Sequence, residues 1–360
     1  MFLALRELRV GRARFGLVAA VVGLIALMAT LLSGLAVGLV DDGISGLRRL
    51  PMTDIAFQDG AGAVFSRSTL DDDNLAPWTD SGLEVSPLGV TLLNARTDSS
   101  GTIDIALFGV PADSFLAPDD VARQALAGPP GIVLSEHFQE AGMKVGDELT
   151  IVGVDEVLPV LGFTYTGSYG HVDIAFASLE VWQQLQYGDN ARGRFSAIAI
   201  NTDDTSDFAT IDAAAETDAI SKQAAYEGSP GYSGETQTMT LIRVFLLAIS
   251  ALVVGAFFVI WTVQRTQQIG LLKALGASNT YVIRDALGQL AIILVVATAA
   301  GALVGTALGQ FVGGSVPFRL EAPSVLTTAA SLIGLGLLGS VVALRRIVNV
   351  EPIIALKTDI

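Results

Sequence analysis

Four stretches of the chain lose nearly all their polar residues, and one long stretch between the first two alternates instead. The apolar runs occupy about 15–40, 241–263, 286–310 and 323–344. A helix rising 1.5 Å per residue needs roughly 20 residues to cross a hydrocarbon core about 30 Å thick, so four transmembrane helices are expected. The first run follows Arg6, Arg9, Arg12 and Arg14, as a cleavable leader would. Its apolar part exceeds the usual leader core of about 7–15 residues, and a retained helix is expected.

Residues 41–240 read differently. GVTLLNAR (Gly89–Arg96), TIDIALFGV (Thr102–Val110) and SAIAINT (Ser196–Thr202) alternate or run apolar with β-branched residues, as strands do. SEHFQEAG (Ser135–Gly142) opens on a Ser cap and closes on Gly, which predicts a short helix, and a Gly-Asp turn in KVGDELTIVGV precedes another strand. DTSDFATIDAAAETDAISKQA (Asp204–Ala224) predicts an amphipathic helix. The expected fold class is therefore an α-helical membrane protein with four transmembrane helices plus an extracytoplasmic α/β domain between helices 1 and 2.

Composition supports this division. Hydrophobic residues make up 51% of the 360, charged residues 16%, and mean hydropathy is +0.56. The net charge of −15 joins two unlike parts: residues 41–240 hold 31 acidic against nine basic side chains, and the remainder is positive by seven. Basic residues flank the runs at 1–14, at Arg265, Lys273 and Arg284, and at Arg345, Arg346 and Lys357. The positive-inside rule places those three segments in the cytoplasm. An amphipathic N-terminus (1–14), a segment between spans (264–285) and the C-terminus (345–360) are then inside, while 41–240 and an outer loop at 311–322 are outside. The first span also carries Ala26, Thr30, Gly34 and Gly38 in one row, a ridge suited either to a neighbouring helix of the same chain or to a second copy.

Several chemistries are excluded. There is no cysteine, no P-loop, no G-x-S-x-G, no H-E-x-x-H and no dinucleotide fingerprint. The chain should not hydrolyse ATP alone, and neither a cofactor of its own nor a nucleic-acid partner is expected. Asp71, Asp72 and Asp73 form either a solvated turn or a calcium-binding cluster that lacks the spaced loop ending in Glu. His137 and His171 read as surface and strand-edge histidines or as ligands, and neither lies in or beside a predicted span.

The segment VQRTQQIGLLKALGASNTYVIRDAL (Val263–Leu287) is basic, has apolar residues at Ile269, Leu271, Leu272 and Leu275, and turns at Gly276. It resembles the cytoplasmic segment of the FtsX/MacB/LolC type of ABC-transporter permease, with Gln268 in place of the family's Glu. The closing RRIVNVEPIIALK (Arg345–Lys357) resembles the same family's basic, Pro and Ala-Leu ending. The outer block Val145–Gly188, with Gly-Phe-Thr, a Tyr-x-His turn and Ser-Leu-Glu-x-Trp, is most similar to the haem-exporting permeases of that family, though Val172 follows His171 where Pro is common.

The resemblance implies a permease homodimer in the cell membrane, driven by two copies of a separate ATPase subunit. Ile269, Gly270, Leu271, Leu272, Lys273, Leu275 and Gly276 would couple the two. Read physically, that amphipathic segment fits either a partner's groove or the lipid surface. Haem would be a transported ligand that partitions into lipid. With histidine absent from the spans, iron is expected to meet Met239, Glu235 or Tyr232, or else Met28 or Met52. Tyr232, Glu235 and Met239 fall at i, i+3 and i+7 on one helical face, and Arg243 one turn deeper would pair with a propionate. Each also has an ordinary reading: Arg243 as a snorkelling side chain, Met239 as a packing filler, Glu235 as a helix N-terminal charge and Tyr232 as an interfacial aromatic. Other cargoes (lipid, lipoprotein or peptide) and an FtsX-like mechanical transmitter controlling an extracytoplasmic hydrolase are the alternatives.

Overall fold

The computed structural model describes residues 12–97, 101–191, 193–203, 208–264, 270–271, 275–312 and 316–347. Among the described residues four helices are long and apolar enough to cross a membrane: α1 (Arg12–Arg49) and three later ones. Between α1 and the next of them the chain folds into a mixed sheet, and it divides into two compact units, 40–235 and the remainder.

The outer unit contains, in order, β1 (Asp54–Gln58), α2 (Asp72–Asp80), β2 (Glu84–Thr97), β3 (Gly101–Val110), α3 (Asp120–Leu126), β4 (Ile132–Ser135) and α4 (Glu136–Glu140). These are followed by β5 (Glu148–Ile151), β6 (Val157–Thr164), β7 (Ser168–Tyr169), β8 (Val172–Ser178), α5 (Leu179–Tyr187), β9 (Ala197–Asn201), α6 (Ala209–Ala215), β10 (Thr217–Ser221) and α7 (Lys222–Ala225). The strand order is β10-β1-β9-β2-β3-β8-β4-β6-β5, with β7 beside β8. β3–β8 and β4–β6 are parallel. β2 is long enough to pair with β9 through Glu84–Leu88 and then with β5 through Ala95–Thr97. That second pairing joins β2, β3, β8, β4, β6 and β5 into a closed ring, which removes the free edges of those strands.

Alternation along the strands feeds two cores. On β3, Ala106, Phe108 and Val110 join Phe57, Phe65, Tyr169 and Phe176 on one face. Ile105 and Leu107 join Trp78, Ile132, Leu134 and Trp182 on the other. Trp182 fits because the paired residues Gly89 and Gly109 leave a gap. A Cβ would stand 2.2 Å from the indole at Gly89 and 2.3 Å from the Trp182 Cβ at Gly109.

Four expectations change. The helix expected over Asp204–Ala224 is α6, then β10, then α7. Glu216 turns left-handed at φ 54°, and Thr217–Ser221 pairs antiparallel with β1. Sheet pairing there outweighs the helix propensity of the alanines. Asp71–Asp73 is solvated, as expected, but it opens a helix rather than forming a turn: the Asp71 carboxylate caps α2 in a reciprocal capping box with Asn74. Among the described residues no cluster of three or more His, Cys, Asp or Glu could hold a metal ion. The helices extend beyond the apolar runs, since α1 continues to Arg49 and α8 (Tyr232–Gln264) begins nine residues before 241. Met52 lies in the core of the outer unit at 2% exposure, so it cannot face a ligand in a membrane span.

The membrane unit adds α9 (Asn279–Val312) and α10 (Ala322–Ile347). Its small residues have a partner within the chain. A Cβ on Gly301 would stand 2.1 Å from the Gly23 carbonyl oxygen, one on Gly305 3.1 Å from the Leu27 carbonyl oxygen, and one on Gly34 2.4 Å from the Phe318 ring. The row Ala26, Thr30, Gly34 and Gly38 is therefore filled by α9 and by residues 317–320 of the same chain, the close approach that small residues permit in lipid.

Candidate functional site

The β7–β8 hairpin is closed by two residues. Tyr169 pairs with Val172, and Gly170 and His171 between them have φ 59° and 65°. Positive φ at both positions is the turn whose twist matches a β-hairpin. Gly tolerates it freely, whereas for His it costs of order 1–3 kcal/mol and persists only when surroundings hold it.

The surroundings are carboxylates. His171 Nδ1 lies 2.9 Å from Asp42 Oδ2 and Nε2 lies 2.8 Å from Glu235 Oε1. Asp42 belongs to the last turns of α1 and Glu235 to the first turn of α8. The end of α1 is seated on the hairpin by further bonds: the Ser168 hydroxyl donates to Asp42 (3.2 Å), the Ser168 N–H to Ser45 Oγ (2.9 Å), and the Gly170 N–H to the Gly43 carbonyl (2.9 Å). The Ser229 hydroxyl donates to the same Gly43 carbonyl at 2.8 Å.

Carboxylates accept hydrogen bonds, and a neutral imidazole has one N–H. Both contacts of His171 are hydrogen bonds at once only when the cluster carries a second proton, as it does when the ring is an imidazolium between two carboxylates. Burial draws the His171 pKa down, but the hydrogen bonds of Asp42 and Glu235, with their charges, outweigh it and leave it above 6.5. The other oxygen of Glu235, Oε2, is buried without a hydrogen-bond partner. The Glu235 side chain as a whole is part-exposed, and this enclosed oxygen keeps an unmet capacity to accept a donor or a cation.

This changes the place given to histidine. Neither histidine lies within a span, but His171 touches the ends of two long helices, so imidazole does stand beside Glu235. What could have revealed it is the Gly-His pair between two short β segments, read as a hairpin turn. His137, on α4, instead bonds Asp173 at 2.8 Å.

The remaining candidates separate. Tyr232 packs its ring 6.3 Å from that of Tyr226. In the membrane unit, Arg243 donates to the Ser33 hydroxyl (3.3 Å), which shares a 2.6 Å bond with Ser324. Arg243 Nε is buried without a partner, and the guanidinium has no ion pair among the described residues. Met239 is half-buried on α8, while Met28 is 42% exposed on α1. In the coupling segment Ile269, Leu272 and Lys273 lie outside the described residues. Gly270 and Leu271 are helical, the Leu275 N–H donates to the Leu271 carbonyl (3.0 Å), and Gly276 turns at φ 95°. Leu271 and Leu275 are 60% and 77% exposed.

Among the described residues, four helices long and apolar enough to cross a membrane, with a mixed α/β domain inserted after the first, have the layout of a multi-pass membrane protein. Residues 240–352 match the FtsX-like permease C-terminal family, and over nearly its whole length the chain is similar to permeases of ABC transporters. It is 24% identical over 99% of both chains to the putative hemin transport system permease protein HrtB of Staphylococcus haemolyticus. It is 23% identical, over 99% of each chain, to an uncharacterized ABC transporter permease of Mycobacterium tuberculosis. It aligns over 51% of its length with 95% of the periplasmic region of MacB from Actinobacillus actinomycetemcomitans, at 12% identity and a TM-score of 0.35.

Proposed function

We propose that this permease exports haem, using a separate ATPase subunit in two copies and a second copy of itself, with both termini and residues 264–285 in the cytoplasm. The observation that carries the reading is on α8. One continuous helix bears Tyr232, Glu235, Met239 and Arg243 at helical spacing, with a carboxylate oxygen and a guanidinium nitrogen that are buried and unpartnered. A haem offers iron to the first kind of group and propionates to the second. Tyr232, Glu235 and Met239 are the candidate iron-facing residues. Met28 is a further one on α1.

The full-length similarity to putative hemin permeases supports the cargo. The exposed Leu271 and Leu275 support a protein partner for the coupling segment. The test is a haem titration of the detergent-solubilised chain and of a Glu235→Ala, Met239→Ala double variant. Saturable binding with a Soret band that weakens or moves in the variant is expected; identical spectra and affinities would remove these residues. A strain lacking the protein should be hypersensitive to haem, and unchanged haem tolerance would argue for another cargo.

A further inference from the structure

We propose that His171 is the positioning residue for Glu235, holding one carboxylate oxygen so that the other is presented to the bound ligand's iron. This inference rests on the haem reading above. Three features build it. Nε2 of His171 sits 2.8 Å from Glu235 Oε1, whereas Oε2 is buried with no partner. A carboxylate engaged on one oxygen only, with the second oxygen enclosed, has its rotation restricted and its remaining lone pairs directed to one place.

The ring is itself fixed from behind. Asp42 accepts from Nδ1 at 2.9 Å, and Asp42 also accepts the Ser168 hydroxyl at 3.2 Å. The relay Ser168, Asp42, His171, Glu235 therefore runs from a β-hairpin through the end of α1 to the start of α8. The backbone is also committed. His171 holds φ 65° in a two-residue turn, a conformation that asparagine or glycine would adopt at less cost. Gly231, next to the start of α8, leaves no room for a side chain here: a Cβ on it would stand 2.9 Å from Glu235 Oε1 and 3.7 Å from His171 Nε2.

Outer partners of this kind orient metal ligands, and their loss typically lowers metal affinity about 10–100-fold. The experiment compares haem binding to the full chain, its His171→Ala and His171→Gln variants, Glu235→Ala, and the His171→Ala, Glu235→Ala pair, with circular dichroism to confirm folding. His171→Ala is expected to weaken binding by about 10–100-fold and to move the Soret maximum. His171→Gln, whose amide N–H can still donate to Glu235, should recover part of both. The double variant should be no weaker than Glu235→Ala alone, since both changes act through one carboxylate. Unaltered affinity and Soret band in His171→Ala, beside a defect in Glu235→Ala, would overturn the positioning role. So would losses that simply multiply in the pair. Absence of saturable binding in the unmodified chain is a separate result: it removes the haem reading and this role with it.

Discussion

Gly301 of α9 lies so close to Gly23 of α1 that a Cβ on it would stand 2.1 Å from the Gly23 carbonyl oxygen. The atom it would meet is backbone, which cannot swing aside. Gly301→Ala should therefore destabilise the membrane unit by about 1–3 kcal/mol, the usual range for overpacking. Gly288→Ala on the same helix meets nothing within 4 Å and should be neutral or stabilising. Thermal unfolding in detergent compares the two, and equal midpoints would contradict the packing.

Trp182 is 1% exposed over the gap left by Gly89 and Gly109. Trp182→Ala should cost about 3–5 kcal/mol, as large aromatic truncations in cores do. Denaturant unfolding followed by circular dichroism measures it.

His137 and Asp173 form an exposed pair 2.8 Å apart. The hydrogen bond to Asp173, and then its charge, raise the His137 pKa above 6.5 against a smaller effect of burial. A raised folded-state pKa means stability that is complete below about pH 6.5 and lost as pH climbs through the higher folded value. Asp173→Asn should bring the His137 titration, followed by NMR of labelled histidine, down toward 6.5. A histidine resonance that titrates at the same pH in both proteins would contradict the pair.

Leu271 and Leu275 are exposed apolar residues one turn apart. Leu271→Glu with Leu275→Glu should reduce co-purification of the ATPase subunit while leaving the unfolding midpoint of the permease alone unchanged, since neither residue is in a core. Undiminished capture of the ATPase would move the coupling surface elsewhere.

The legible parts of this protein are those set by local chemistry. Four helices follow from apolar length because lipid offers no alternative partner for the backbone. Ser135 caps α4 as its sequence predicts, and β2, β3 and β9 fall where alternation places them. At 204–224 the same local reasoning failed, since the alanine-rich stretch supplies a strand to β1 from more than 150 residues earlier in the chain.

The candidate site was half visible. Spacing alone put Tyr232, Glu235 and Met239 on one face of a helix, because helical periodicity is a property of adjacent residues. Spacing could not show that Met52 enters a core, nor that the small residues of α1 meet Gly301 and Gly305. Nor could it bring His171 to Asp42 and Glu235, which are separated from it by 129 and 64 residues. Those contacts exist only after the sheet closes and a two-residue turn carries the imidazole to the ends of two helices. The sequence determined the four apolar helices and the strands that alternate; the tertiary structure decided that Thr217–Ser221 is a strand and which charges face one another, because partners are chosen by distance in space.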